Sequence, residues 1–341
     1  MEGMSAGPMP APLVEEPPVS RLSDTDRDLL MELQYHFPLT RYPFEGVAEA
    51  LGRREEAVLA DTQRLLRWHV IKRIGFNVNF KTYGLEGALV GVACPSSRFA
   101  ELRDAFLPLD VITHNYVRSH PRFQVWFTYK ASSPGQLLAE IAHLLGRLGL
   151  EDYVVLRSRR TYAVRVKFDL YQGISRSPEP LSRYVLPERV VAARDLGISE
   201  AFLEGLGEGL RAMHDPYRTL LEATGMGSRE FEEWLPKLLD LGVLRNGGAT
   251  LRGPVLGFTH NAMMVFRTND PAGTCRCLAE ECAEATHVVL REPLLGTWNH
   301  PGYIMLHATS HDRVVEVSQR ISQQMDLRDY QLIFSLQNLK P

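Results

Sequence analysis

Cysteine is scarce in this 341-residue chain: Cys94, Cys275, Cys277 and Cys282 are too few for a disulfide framework at this length. The last three form C-x-C-x4-C without a second knuckle, so the usual zinc spacing is missing and they read as ordinary reduced thiols. No stretch approaches the roughly 18 apolar residues of a membrane-spanning helix, and no charged, apolar-cored signal peptide opens the chain. A membrane protein is excluded, and a cytoplasmic location is expected. Neither sign of charge dominates, with 38 Lys+Arg against 41 Asp+Glu. Whole-chain electrostatics therefore do not favour nucleic acid or acidic membrane, and an anionic ligand must be held by a local basic cluster. What the chain does have is 45% hydrophobic and 23% charged residues, the balance of a globular protein. Its length is about twice the ~150 residues of a usual domain, so two cores are expected.

Residues 1–20 hold Pro8, Pro10, Pro12, Pro17 and Pro18 among small and acidic residues, a composition that cannot bury a core, and read as a disordered tail. Order is expected from Leu22-Ser23-Asp24, where Ser or Asp caps a helix carrying Leu29, Leu30 and Leu33. A second helix is expected after Pro43 and a third from about Glu55 to Trp68. With the strand-like VIKRIGFNVNF behind them, residues 21–80 have the pattern of a winged helix-turn-helix. From Glu86 the period changes. EGALVGVAC, VITHNYVRSH, RFQVWFTYKA and DYVVLRSRRTYAVRVKFDL read as strands, while SSRFAELRDAFLPL and SPGQLLAEIAHLLGRLG read as helices. The order βαββαβ over residues 81–170 predicts a ferredoxin-like sandwich, two helices on one face of a four-stranded antiparallel sheet.

The chain resembles itself. Adding 173 to the numbering carries Pro43-Phe44 onto Pro216-Tyr217, Gly52 onto Gly225, Leu65-Leu66 onto Leu238-Leu239, Gly75 onto Gly248 and Thr113-His114 onto Thr286-His287. Arg118 maps onto Arg291, and beyond a four-residue insertion an offset of 177 carries Asp152-Tyr153 onto Asp329-Tyr330. The expected fold is thus α+β, a tandem repeat of a winged helix-turn-helix plus a ferredoxin-like domain. The second copy occupies 201–253 and 254–341, behind a Pro-, Gly- and Ser-containing linker over 171–200.

Strand side chains alternate faces, so His114, Tyr116, Arg118 and His120 are expected on one sheet face and Thr113, Asn115, Val117 and Ser119 on the other. In the second copy His287, Val289 and Arg291 share a face; the His and the Arg recur, the Tyr does not. Arginine grips carboxylates through a charged fork and histidine exchanges a proton near neutral pH, so the two pairs predict a multi-carboxylate ligand. They form either one site with approximate two-fold symmetry or two similar sites. His114 and Arg118 lie four residues apart, roughly 13 Å of strand. Trp126, Trp298, Tyr303 and His307 lie on strands or beside them and suit either a core or a large planar ligand. His36, His69, His143, His214 and His311, in helices or loops without a repeated polar counterpart, read as structural or surface histidines.

The string THNYVRSHPRFQVWFTYKA resembles the signature of the siroheme decarboxylases, whose halves also resemble Lrp/AsnC-type regulators. FPLTRYPF and LLRWHVIKRIGFNVNF are similar to that family's first type of subunit, and HVVLREPLLGTWNHPGYIMLHA to its second, so the resemblance runs from Leu22 to Leu339. It implies a carboxy-lyase that removes two acetate carboxyls of siroheme as CO2 to give 12,18-didecarboxysiroheme, in heme d1 or siroheme-dependent heme biosynthesis. Here the two subunit types would be fused on one chain, with homologous subunits or a second copy as further partners. No separate cofactor or metal is implied, because siroheme carries its own iron. His114 is then expected to be a cationic proton donor and Arg118 a carboxylate anchor, with His287 and Arg291 as their counterparts and Tyr116, His120, Trp126, Trp298, Tyr303 and His307 completing the pocket. The second copy departs from the first, with Val288-Val289 for Asn115-Tyr116 and Glu292-Pro293 for Ser119-His120.

Two readings from other classes share these features. An Lrp/AsnC-like transcription regulator would use the helical units, yet Arg53, Arg54, Arg64, Arg67, Lys72 and Arg73 stand among Glu55, Glu56 and Asp61, whereas a recognition helix needs a basic exposed face. No DNA binding is expected. A heme-binding sensor or carrier would share the pocket without the turnover.

Overall fold

In the computed structural model, which describes residues 22–245 and 247–340, Ser23 caps the first helix: its hydroxyl accepts from the Asp26 amide while the Asp26 carboxylate accepts from the Ser23 amide. The tail expected over residues 1–20 lies outside the described residues. Helix α1 (Asp24–Tyr35) is followed by α2 (Pro43–Ala50), opened by a proline, and α3 (Glu55–Arg67). Acids in the first turn of α3 and Arg64 and Arg67 in its last turn complement the helix dipole. Short strands β1 (Ile71–Ile74) and β2 (Asn77–Val78) lead into β3 (Glu86–Val92), α4 (Phe99–Phe106), β4 (Ile112–Arg118), β5 (Val125–Ala131), α5 (Pro134–Arg147) and β6 (Tyr153–Val164). After β7 (Phe168–Asp169) and β8 (Ile174–Ser175) come α6 (Glu200–Glu208), α7 (Arg218–Thr224), α8 (Ser228–Asp240), β9 (Leu244–Arg245) and β10 (Ala249–Leu251). The chain ends with β11 (His260–Arg267), α9 (Pro271–Glu281), β12 (His287–Leu295), β13 (Gly302–Ala308), α10 (His311–Gln324) and β14 (Asp329–Asn338). Among the described residues no helix is long and apolar enough to cross a membrane.

Eight strands close on themselves. The order β11-β14-β4-β5-β3-β6-β12-β13 is completed by pairing of β13 with β11, and every paired edge is antiparallel. Two separate sheets were expected; instead β6 joins β12 and β14 joins β4, which removes the four free edges that two open sheets would expose. Alternation sends Val90, Phe127 and Val155 outward against α4 and α5, while Met264, Val288 and Ile304 pack against α9 and α10. The other face is turned into the ring, where Leu89, Trp126, Met263, Val265 and Tyr303 form an inner cluster. A closed ring with helices outside thus has an interior built from both halves of the chain.

The helical units depart from two self-contained winged domains. Strand β1 pairs with β10 and β2 with β9, so each half's wing strands find their partners in the other half. The chains cross at Gly75 and Gly248, which exchange backbone hydrogen bonds in both directions at 3.0 and 3.1 Å and have φ of +129° and +113°. The reason is hydrophobic: Phe76 is fully buried in the core of α6–α8, while Ala249, Leu251 and Phe258 are buried in the core of α1–α3. Only a crossing of the two segments satisfies both cores. Residues 171–200, expected as a linker, are packed as well: β8 extends the sheet beyond β13, and Leu181, Ala193 and Leu196 are buried.

Candidate active site

The ring encloses a cavity of about 510 Å³, within the ~300–1,000 Å³ of small-molecule sites. Its wall includes His114, Tyr116 and Arg118 from β4 and His287, Arg291, Tyr303 and His307 from β12 and β13, so the two pairs share one cavity instead of lining two. Phe168, Pro254 and Phe258 line it on the side of the first helical unit. Among the described residues no Asp or Glu lines it. Polar atoms are left without partners: Arg118 Nε, Arg291 Nε, the Tyr303 hydroxyl, His307 Nε2 and Ser335 Oγ are all buried and unbonded. Such atoms are costly unless a ligand completes them. The arrangement is that of a site for a polar, anionic ligand with an apolar body, since Leu89, Trp126 and Met263 share the lining.

The backbone explains where each group points. A bulge in the β4–β5 pairing between Ile112 and Asn115 breaks the strict alternation read from the sequence. Thr113 therefore lies on the same side as His114: its hydroxyl is 2.9 Å from that of cavity-lining Thr128 and 3.2 Å from His114 Nδ1. In the second half His287 Nδ1 meets the Thr286 hydroxyl at 3.3 Å. Arg118 reaches the Ile333 carbonyl at 3.4 Å, while Arg291 is held more firmly, by Ser158 Oγ at 2.9 Å and the Leu156 carbonyl at 3.3 Å.

The tyrosine that the second copy lacks is replaced from across the strand pair. Tyr116 lies opposite Trp126 and stands under the Arg118 guanidinium at 5.2 Å; in the second half Val289 lies opposite Tyr303, and Tyr303 stands under Arg291 at the same 5.2 Å. The phenol has changed strands and kept its arginine. His120 and Trp298, expected in the pocket, are not among its lining residues. Strand β4 ends at Arg118, and the His120 ring turns back to accept from the Phe123 amide and to pack 5.5 Å from Trp298. Trp126 lines the cavity at the edge of this aromatic cluster. Sequence reasoning missed Thr128, Asn261, Met305 and Phe168, none of which carries a recurring ionisable signal. His214, read as a surface histidine, is exposed and pairs with Glu55 at 3.0 Å near Glu45. These three could present ligand atoms to a cation, but none lines the cavity.

Electrostatically the site is cationic. Burial, then the Arg118 charge, then Lys130 and Lys72 hold His114 down to about 4; burial and His307 lead the causes that hold His287 at about 3; burial and Arg118 hold His307 at about 4. His114 is open to the cavity's own solvent, yet protein surrounds it. The expected cationic acid is therefore a neutral imidazole without substrate, because it is buried and the charges that act on it, those of Arg118, Lys130 and Lys72, are all positive. Arg118 and Arg291 are pulled to about 10 by burial and remain charged at neutral pH. Lys72 and Arg245, at equivalent positions after α3 and α8, lie close enough to act on His114 and His287 respectively.

A pH dependence of stability follows. Below the ordinary histidine value of 6.5 the unfolded chain takes up protons that the folded site refuses until about 4 or about 3. The unfolded state then binds more protons, so the stability of the empty protein is full above 6.5 and is lost as pH falls through that window. Denaturation midpoints of the wild type and of His287→Gln, taken from about pH 7.5 to about 5, check this: the decline is expected to be shallower in the variant, and parallel curves would contradict it.

Comparison with known proteins covers both parts of the chain. Residues 26–71 match the siroheme decarboxylase NirDL-like HTH domain, and residues 82–163 and 255–340 match the AsnC-like ligand binding domain. The Hydrogenobacter thermophilus protein named siroheme decarboxylase is 23% identical over 326 residues, 92% of each chain. The siroheme decarboxylase NirG subunit of Pseudomonas aeruginosa is 30% identical over 152 residues, 44% of this chain and 100% of that subunit. A crystal structure of the siroheme decarboxylase NirDL in co-complex with an iron-uroporphyrin III analogue superposes with a TM-score of 0.58 at 20% identity, covering 92% of this chain and 91% of that one, which establishes the common fold.

Proposed function

The chain belongs to the siroheme decarboxylase family, and we propose that it removes two acetate carboxyls of siroheme as CO2, leaving methyl groups and 12,18-didecarboxysiroheme, on the route to heme d1. The observation that carries this reading is one cavity with two His/Arg pairs, orphaned polar atoms and, among the described residues, no acid in its lining. In each round the bond between the carboxyl carbon and the methylene carbon breaks, its electron pair stays on the methylene carbon beside the macrocycle, and one proton completes the methyl. Arg118 and Arg291 hold carboxylates through their charged forks, and the Tyr303 phenol, pushed well up by burial and so protonated throughout, donates to another oxygen. His114 supplies the proton. Bound carboxylates reverse the surroundings that keep its imidazole neutral, so the cation forms with the substrate in place. His287 and Arg291 act as the counterpart pair, with Tyr116, Trp126 and His307 shaping the pocket. Siroheme brings its own iron, and no further cofactor enters the scheme.

The fused arrangement is part of the proposal. Helices α3 and α8 start at Glu55 and Ser228 and end at Arg67 and Asp240, while α5 and α10 start at Pro134 and His311 and end at Arg147 and Gln324. Constant spacings of this kind support a tandem duplication whose halves do for one another what two homologous subunits do in relatives. The regulator reading is weaker, because Arg53 and Arg64 are bound to Asp61, and Arg64 also to Asp26. Salt-sensitive binding to duplex DNA is therefore not expected in titrations at about 50 and 200 mM salt. Anaerobic incubation with siroheme followed by mass analysis of the extracted tetrapyrrole tests the enzyme directly. Loss of two CO2 per siroheme is the expected result, and binding with no mass change would leave a carrier.

A further inference from the structure

We infer that the threonine preceding each cavity histidine sets which ring nitrogen carries the hydrogen of the neutral imidazole, and does so differently in the two halves, so that Thr286 makes His287 a hydrogen-bond acceptor toward the cavity while Thr113 leaves His114 free to donate a hydrogen bond there. This is a positioning role for Thr286 and Thr113, and its catalytic consequence rests on the decarboxylase reading above.

In the second half the hydroxyl is committed. Thr286 is fully buried, and its backbone is pinned on both sides, its amide donating to the Met305 carbonyl at 3.1 Å and its carbonyl accepting from Arg165 at 2.7 Å. Its hydroxyl donates to the same Met305 carbonyl at 3.0 Å, and the oxygen lies 3.3 Å from His287 Nδ1. A hydroxyl has one proton. With that proton on Met305, the oxygen can only accept from the ring, which places the single hydrogen of a neutral imidazole on Nδ1 and leaves Nε2 with a lone pair. The groups around this ring are His307 on β13, His114 on β4, Arg245 on β9 and Arg291 on β12, all bases or cations, and they favour the neutral form.

In the first half no carbonyl claims the hydroxyl. The bulge at Ile112–Asn115 interrupts the β4–β5 pairing beside Thr113, and the Thr113 hydroxyl meets the Thr128 side chain where that of Thr286 meets the Met305 carbonyl. The Thr113 and Thr128 hydroxyls are 2.9 Å apart, and either can donate to the other. Thr113 can therefore give its proton to His114 Nδ1 or receive one from it, so His114 is able to hold its hydrogen on Nε2, facing the cavity. Two histidines that look equivalent in sequence are then unequal toward a ligand: neutral His114 can present an N–H at Nε2, whereas neutral His287 presents a lone pair there.

The test begins with the empty protein. Nitrogen-15 spectra of histidine-labelled wild type at neutral pH are expected to show His287 with its hydrogen on Nδ1; a hydrogen on Nε2 would overturn the inference. Thr286→Val should turn that signal into a tautomer mixture, and Thr286→Ser, which keeps the hydroxyl, should retain the wild-type pattern. An unchanged His287 signal in a folded Thr286→Val protein would count equally against it. With siroheme, losing one such hydrogen bond should slow turnover of Thr286→Val about fivefold to tenfold and Thr286→Ser far less. If no variant or wild type releases CO2 while the spectra behave as stated, the decarboxylase reading fails and the tautomer assignment stands.

Discussion

Replacing His114 by Ala should reduce siroheme turnover by ~10²–10⁴-fold, the usual worth of a positioned proton donor, while changing siroheme affinity far less. Among the described residues the imidazole's one hydrogen-bond partner is Thr113, so removing the imidazole leaves the wall intact and takes away chemistry done mainly in the transition state. Arg118→Ala should behave differently. It removes a charged fork whose Nε has no protein partner, so affinity should fall by ~10–100-fold together with the rate. The equivalent changes at His287 and Arg291 probe the division of labour between the halves. If the second half serves one of the two acetate arms, these variants should accumulate a mono-decarboxylated product, readable as a single mass loss of CO2. Full activity of His114→Ala combined with abolition by His287→Ala alone would show that the principal proton donor lies in the second half.

A second large effect is expected outside the cavity's lining, at the crossing of the wing segments. A Cβ on Gly248 would sit 2.2 Å from the Leu33 carbonyl oxygen and 3.0 Å from Phe37 Cβ, on a residue with φ of +113°. Both the overlap with backbone and the unfavourable φ must be absorbed, and Gly248→Ala should therefore destabilise the protein by about 3–5 kcal/mol. Gly52→Ala, at φ of +61° with nothing within 4 Å, is the matched control and should cost only about 1 kcal/mol. Chemical denaturation followed by circular dichroism measures both. Equal and small losses would mean that the crossing is not under the steric control described above. Because the crossing also delivers Lys72 and Arg245 toward the cavity histidines, a Gly248→Ala protein that still folds should bind siroheme less well than the control.

Local information carried much of this architecture. The capping pair at Ser23 and Asp26, the proline that opens α2, the apolar spacing of α1 and the period-2 runs of β3 to β6 are set by neighbours a few residues away, so they are legible without a structure. The recurrence of His and Arg in both copies singled out His114, Arg118, His287 and Arg291 for the same reason: strand alternation is a local rule, and it holds from His114 to Arg118. It failed at Thr113, where a bulge adds a residue to one strand only, and at His120, where the strand has already ended.

What depends on pairing between distant segments was decided by the tertiary structure alone. No pattern within one strand tells whether its edge will meet another copy, and the closure of the ring through β6–β12 and β14–β4 is what turns two sheet faces into one cavity. The exchange of wing strands follows from where Phe76 and Phe258 find their hydrophobic partners, a choice between two cores of similar composition. The transfer of the phenol from Tyr116 to Tyr303 is visible only once β12 and β13 are in register. The neutral state of the histidines without substrate could not be read from residue type, because a side chain's charge depends on burial and on which charges surround it. Residue identities and their repetition thus determined the elements and the site's ingredients; closure of the ring, by surrounding those ingredients with protein and gathering cations around them, decided their chemical state.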